Sequence, residues 1–184
     1  KGGNEMSTKQ FLFSGFGGQG ILFAGKFMAY KGLTEGKQVS WLPSYGPEMR
    51  GGTASCGVIV GDTPVGSPIV SKPDILIAMN LPSLDKYESA VVPGGKIFYD
   101  SSLITRDVNR TDVEVYKIPA TEMADKNGFP TLANMIIVGK ILSVLGEFTE
   151  DGVKAALGKV ISAKHADMLD VNLNAISLGA EYKD

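Results

Sequence analysis

With 184 residues, 43% of them hydrophobic and 21% charged, the chain fits one compact domain with a substantial core. Eighteen basic against twenty acidic side chains give a formal charge of -2, which argues against nucleic acid or an anionic membrane surface as partner. Cys56 and His165 are the only residues of their kinds, which excludes an intrachain disulfide and argues against a zinc site or an iron-sulfur cluster held by this chain alone.

No apolar run reaches the roughly 20 residues of a membrane span and no signal pattern opens the sequence, so a cytoplasmic protein without membrane contact is expected. The opening "KGGNE" reads as a remnant of recombinant expression before a native start at Met6, which leaves 6–184 as a single domain. Gln10–Ser14 is an apolar run ending in glycines, and Ile21–Lys31 has helical spacing with Gly32 as its stop. Strand, tight turn and helix are the opening of an α/β fold. Gln38–Leu42 is a second predicted strand; the loop "PSYGPEMRGG" follows, and Thr53–Val60 resumes as a third before the turn "GDTP". Ile75–Met79 is almost wholly apolar, as in a central strand covered on both faces. Ser83–Ala90 is predicted helical with a serine cap, "PGG" from Pro93 breaks it, and Lys96–Tyr99 and Val113–Ile118 are further strands. The remainder reads as helices over Ala120–Lys126, Thr131–Leu145, Glu150–Ile161 and Ala166–Glu181, with Gly128, Pro130, Gly146 and Ser162 at the joints. The expected architecture is a three-layer α/β/α sandwich with a largely parallel sheet and a helical C-terminal third.

The first turn carries two nucleotide-like patterns. Gly15, Gly17 and Gly20 have the G-x-G-x-x-G spacing of a dinucleotide-binding turn. That motif also needs an acidic residue near the end of the second strand, to hold the adenosine ribose; Ser40, Trp41, Leu42 and Pro43 stand there instead. Glu35 precedes the strand and Glu48 lies well beyond it, so NAD is not expected to bind. Gly20 to Lys26 resembles a P-loop, yet Phe27 replaces the required Ser or Thr, and Gly25 and Lys26 fall within the predicted helix. A sharp turn and close helix packing account for most of these glycines. Gly18 and Gln19 exceed that need, and exposed N-H groups beside an amide suit an anionic or polar ligand or a partner chain's loop.

The second loop, after the second strand, belongs at the same edge of the sheet. It sets Tyr45, Glu48 and Arg50 among Gly46, Pro47, Gly51 and Gly52, a mixture of rigid turn residues, both charge signs and an aromatic. A plain solvated turn is the alternative. Asn80 should emerge at the end of the apolar strand, either beside these loops or merely as a cap on the next helix. Cys56 reads as a small buried apolar residue, and His165 is far in sequence from both loops, so no nucleophile and base pair is legible.

The stretches "GFGGQGILFAGK", "YGPEMRGGTASCGVIVGD", "PDILIAMN" and "LDKYE" together resemble the gamma subunit of the 2-oxoacid:ferredoxin (acceptor) oxidoreductases, of the 2-oxoglutarate and branched-chain types, from Phe11 to the final helix. Indolepyruvate oxidoreductase beta subunits share the glycine turn and are the nearest alternative; a free-standing NAD enzyme and a purely structural subunit are the others. The resemblance implies oxidative decarboxylation of a 2-oxoacid, with 2-oxoglutarate foremost, to an acyl-coenzyme A, with electrons passed to ferredoxin or a similar acceptor. It implies alpha, beta and possibly delta partner subunits, which carry thiamine diphosphate, magnesium and the iron-sulfur clusters. No catalytic residue or cofactor is then expected on this chain alone, which would contribute its two loops and Asn80 to a ligand or a subunit interface.

Overall fold

The computed structural model describes residues 7–44 and 53–184. Within them β1 (Lys9–Phe16), β2 (Gln38–Ser44), β3 (Thr53–Gly61), β4 (Ile75–Ala78), β5 (Lys96–Asp100) and β6 (Glu114–Ile118) form one sheet in the order β2-β3-β1-β4-β5-β6. The helices are α1 (Ile21–Thr34), α2 (Leu81–Tyr87), α3 (Ala120–Lys126), α4 (Ala133–Val144), α5 (Glu150–Val160) and α6 (Met168–Glu181). The α/β architecture is as the sequence predicts. Its sheet is mixed: β1, β4, β5 and β6 pair in parallel, whereas β3 is antiparallel to both β1 and β2. A parallel return needs a crossover of about a dozen residues or more, and the short connection 45–52 leaves only the hairpin arrangement open.

Alternation along the strands divides the core between two faces. Phe11, Phe13, Cys56, Val58, Ile75, Ile77 and Phe98 join the large cluster under α1 and α3–α6. Leu12, Leu76, Ala78, Ile97 and Tyr99 face the other way, where Leu84 of α2 and the loop residue Ile104 complete a smaller cluster. The second helical layer is therefore thin.

Two glycine pairs set how closely the helices approach. A methyl group at Gly32 would meet Val39 and Val60 at 2.9 Å, and one at Gly25 would run into the Cys56 sulfur, so α1 lies directly on β2 and β3. The lysine-flanked Gly25 of the P-loop-like pattern is thus a packing residue. At the second contact Gly139 of α4 abuts the backbone of Ile176 and Gly179 of α6 abuts that of Ile136, which leaves no space for a side chain at either position. No helix of the described residues is long and apolar enough to cross a membrane.

Candidate functional site

The strands β2, β1, β4 and β5 all run the same way, so the segments that follow them meet at one edge of the sheet. After β1 the chain turns to α1 on one face; after β4, the neighbouring strand, it turns to α2 on the other. Diverging connections from adjacent strand ends open a crevice, the place where open α/β sheets bind ligands.

Gln19 spans that crevice. Its Oε1 accepts the Phe16 N-H at 2.6 Å and its Nε2 donates to the Met79 carbonyl at 3.0 Å, which ties the glycine turn to the end of β4. The Gln19 N-H closes the turn on the Phe16 carbonyl at 3.2 Å. The side chain read from sequence as surplus to the turn is a structural brace. Gly15 is buried and a methyl group there would meet the Gln19 amide oxygen at 2.6 Å. Gly18 and Gly20 have φ of 90° and 71°, which only glycine adopts without strain. Gly17 and Gly18 are exposed, and space around Gly18 is open. Gly20 caps α1, and its carbonyl also accepts a hydrogen bond from Asn134 Nδ2 at 3.0 Å, a tie from α4 that the sequence did not reveal beyond a polar residue in an apolar helical run.

Tyr45, Gly46, Pro47, Glu48, Arg50, Gly51 and Gly52 lie outside the described residues. Their flanks are placed: Ser44 pairs with Ser55, and Thr53 pairs with Phe16, so both ends of the segment stand at the same edge as the glycine turn.

Asn80 follows β4 at this edge and is 2% exposed. Its Oδ1 accepts the Ser83 N-H at 2.8 Å, which makes Asn80, and not Ser83, the cap of the helix; the sequence Asn-Leu-Pro-Ser carries that signal in its capping residue and early proline. The helix accordingly starts at Leu81. Asn80 Nδ2 is buried and has no partner among the described residues. Beneath it Ser14 Oγ donates to Ser83 Oγ at 2.8 Å, a wholly buried pair that joins β1 to α2.

Large apolar side chains are exposed along the same edge: Phe16 at the end of β1, Leu42 near the end of β2, Leu81 after β4 and Leu103 after β5, each at least 40% accessible. Such a row is what a protein partner covers. Cys56 is fully buried and burial pushes its thiol up to about 12, so it is no nucleophile at neutral pH. His165 lies in a short turn before α6, yet it lines a cavity with Gly20; a long sequence separation concealed this proximity. No group of three His, Cys, Asp or Glu side chains among the described residues could hold a metal ion. The dinucleotide reading fails on topology as well as on its missing acid, because β3 stands between β1 and β2 and removes the end of β2 from the turn.

The family model for pyruvate ferredoxin/flavodoxin oxidoreductase matches residues 10–182. Ketoisovalerate oxidoreductase subunit VorA of Methanothermobacter thermautotrophicus is 40% identical over 97% of this chain, which spans only 37% of that protein's length. The 2-oxoglutarate synthase subunit KorC of Methanocaldococcus jannaschii is 33% identical, with 94% of this chain and 92% of KorC covered. The crystal structure of the keto/oxoacid ferredoxin oxidoreductase gamma subunit from Geobacter sulfurreducens superposes with a TM-score of 0.79 at 27% identity, over 94% of this chain and 96% of that one.

Proposed function

The chain belongs to the pyruvate ferredoxin/flavodoxin oxidoreductase family, and from this we propose that it is the gamma-type subunit of a cytoplasmic 2-oxoacid:ferredoxin oxidoreductase complex. The complex would convert a 2-oxoacid and coenzyme A to carbon dioxide and an acyl-coenzyme A, and pass two electrons to ferredoxin or a similar acceptor. The observation that carries the reading is the likeness to a gamma subunit over 94% of this chain.

The described residues hold no group of three His, Cys, Asp or Glu side chains that could bind a metal ion, and no step of the chemistry is assigned to them. Thiamine diphosphate, magnesium and the iron-sulfur clusters belong on the alpha, beta or delta partners. Thiamine diphosphate, when bound there, stabilises the carbanion left by decarboxylation. This chain's part is to present an apolar edge, Phe16, Leu42, Leu81 and Leu103, and the adjoining polar loop to the shared site. Arg50 is the one basic residue of that loop and offers a planar fork for a carboxylate or phosphate of a ligand, or for an acidic partner side chain.

The proposed substrate is 2-oxoglutarate, in keeping with the KorC relative; 40% identity to VorA favours ketoisovalerate as a second reading. The two separate when the native complex is isolated through a tag on this chain and coenzyme A-dependent reduction of a viologen dye is measured with each acid in turn. Preference for 2-oxoglutarate supports the first reading, preference for ketoisovalerate replaces it with the second, and turnover of neither acid defeats both.

A further inference from the structure

At the N-terminal ends of α4 and α6 the surface opens into a groove of about 390 Å³. Phe23, Leu132, Val160, Ile161 and Met168 wall it, so that α1, the start of α4, the end of α5 and the start of α6 each supply apolar surface. Gly20 and Phe23 also line a second hollow, of about 300 Å³, whose other walls include Phe16 and Leu22 beside the glycine turn. The apolar surface is therefore continuous from Phe16 at the exposed edge to Met168, which are 40% and 36% accessible.

Polar groups are scarce within the groove. The amide oxygens of Asn134 and Asn172 are sealed from the surface, and Thr131, Ser162 and His165 are exposed residues. A small-molecule site needs several polar groups that converge on its ligand. Apolar walls with polar groups only on exposed residues suit instead large apolar side chains of another polypeptide, whose polar flanks can meet Ser162 and His165. The length of VorA identifies that polypeptide. This chain spans 37% of VorA, so in that relative the same domain is tethered to a longer remainder. Tethering holds the remainder at a high effective concentration beside an apolar surface that water covers poorly.

We propose that the groove is the anchor pocket of the interface with the partner polypeptide that corresponds to the remainder of VorA, and that large apolar side chains from one segment of that partner fill it. The inference rests on the proposed role of this chain as a subunit. Stable interfaces bury about 800 Å² per partner, and the continuous surface toward Phe16 supplies area beyond the groove itself.

A thiol on the groove wall tests it. Cys56, the only cysteine of the chain, is buried with its thiol pushed up to about 12, so the thiol introduced by Met168→Cys is the reactive one. That variant is labelled with N-ethylmaleimide as the chain alone and within the complex, isolated through a tag on this chain with its co-expressed partner. Labelling is expected to be slowed roughly tenfold or more in the complex, as burial of an anchor residue requires. The photoreactive residue p-benzoylphenylalanine in place of Met168 should cross-link to a partner segment bearing large apolar side chains. Met168→Asp, which suits the first turn of α6, should lower recovery of the partner roughly tenfold or more, whereas Met168→Leu should retain it. Equal labelling of chain and complex, cross-links to a second copy of this chain or to a charged partner segment, or full recovery of the partner by Met168→Asp would each overturn the proposal. Should Met168→Asp not fold, the labelling decides alone. A complex that is protected at Met168 and turns over neither 2-oxoacid keeps the anchor pocket and defeats only the reading of the chemistry.

Discussion

Asn80 and Gln19 stand side by side at the candidate site, and each already holds the fold together. Gln19 uses its amide oxygen and its amide nitrogen on two different elements, the turn and the end of β4. Glutamate at this position would keep the acceptor for Phe16 and present an oxygen to the Met79 carbonyl in place of a donor. Gln19→Glu is therefore expected to lower stability by about 1–3 kcal/mol, the range for leaving a partly buried polar group unsatisfied, measured as a shift of the chemical denaturation midpoint. An unshifted midpoint would return Gln19 to the role of a free ligand-facing amide. For Asn80 the bond from the Ser83 N-H is a helix cap, and Asn80→Ala should cost ~1 kcal/mol, with Asn80→Ser restoring most of it because serine caps as well. If serine were no better than alanine, the cap would not be what Asn80 contributes. The sequence leaves Asn80 either beside the loops or as a cap; the bond from the Ser83 N-H gives it the cap.

At the scale of elements, α4 and α6 cross with no space for a side chain at Gly139 or Gly179. Gly139 faces backbone and not a side chain that could swing away, so Gly139→Ala must push the helices apart. It is expected to cost about 3 kcal/mol, the upper end of ordinary overpacking, read as a lowered midpoint of thermal unfolding. A near-neutral substitution would mean that the crossing is looser than described. The strands and helices themselves were legible, because period-2 and period-3.6 patterns with Gly and Pro punctuation mark each one, and most boundaries fall within a few residues of those expected. The direction of β3 was not read, since "TASCGVIV" is as apolar as a parallel strand; the signal lay in the brevity of the segment 45–52, too short for a crossover. Ser83 opens the helical run and so suggests a cap, whereas Asn80, with a proline two residues later, is the cap of the helix. Contacts distant along the chain, such as Asn134 with Gly20 and His165 beside the same cavity, depend on how α4 and α6 cross, and no local pattern encodes that. The glycine turn was placed correctly at the edge of the sheet, but the brace formed by Gln19 required the position of β4 to be seen.

For the whole molecule, one edge of the sheet carries an open glycine turn, the flanks of a charged loop and several exposed apolar side chains, together with the buried Asn80 amide nitrogen that has no partner among the described residues. The opposite character holds for its interior, where Cys56 is sealed and the described residues assemble no metal-binding cluster. The proposed role, a contributor to a site completed by other subunits, is measurable in one paired assay. Coenzyme A-dependent reduction of a viologen dye by 2-oxoglutarate and by ketoisovalerate is followed for the purified chain alone, supplied with thiamine diphosphate and magnesium, and for the complex isolated through that chain. Turnover is expected in the complex with one of the two acids, and none in the chain alone. Turnover by the isolated chain, or a complex that turns over neither acid, would contradict the assignment.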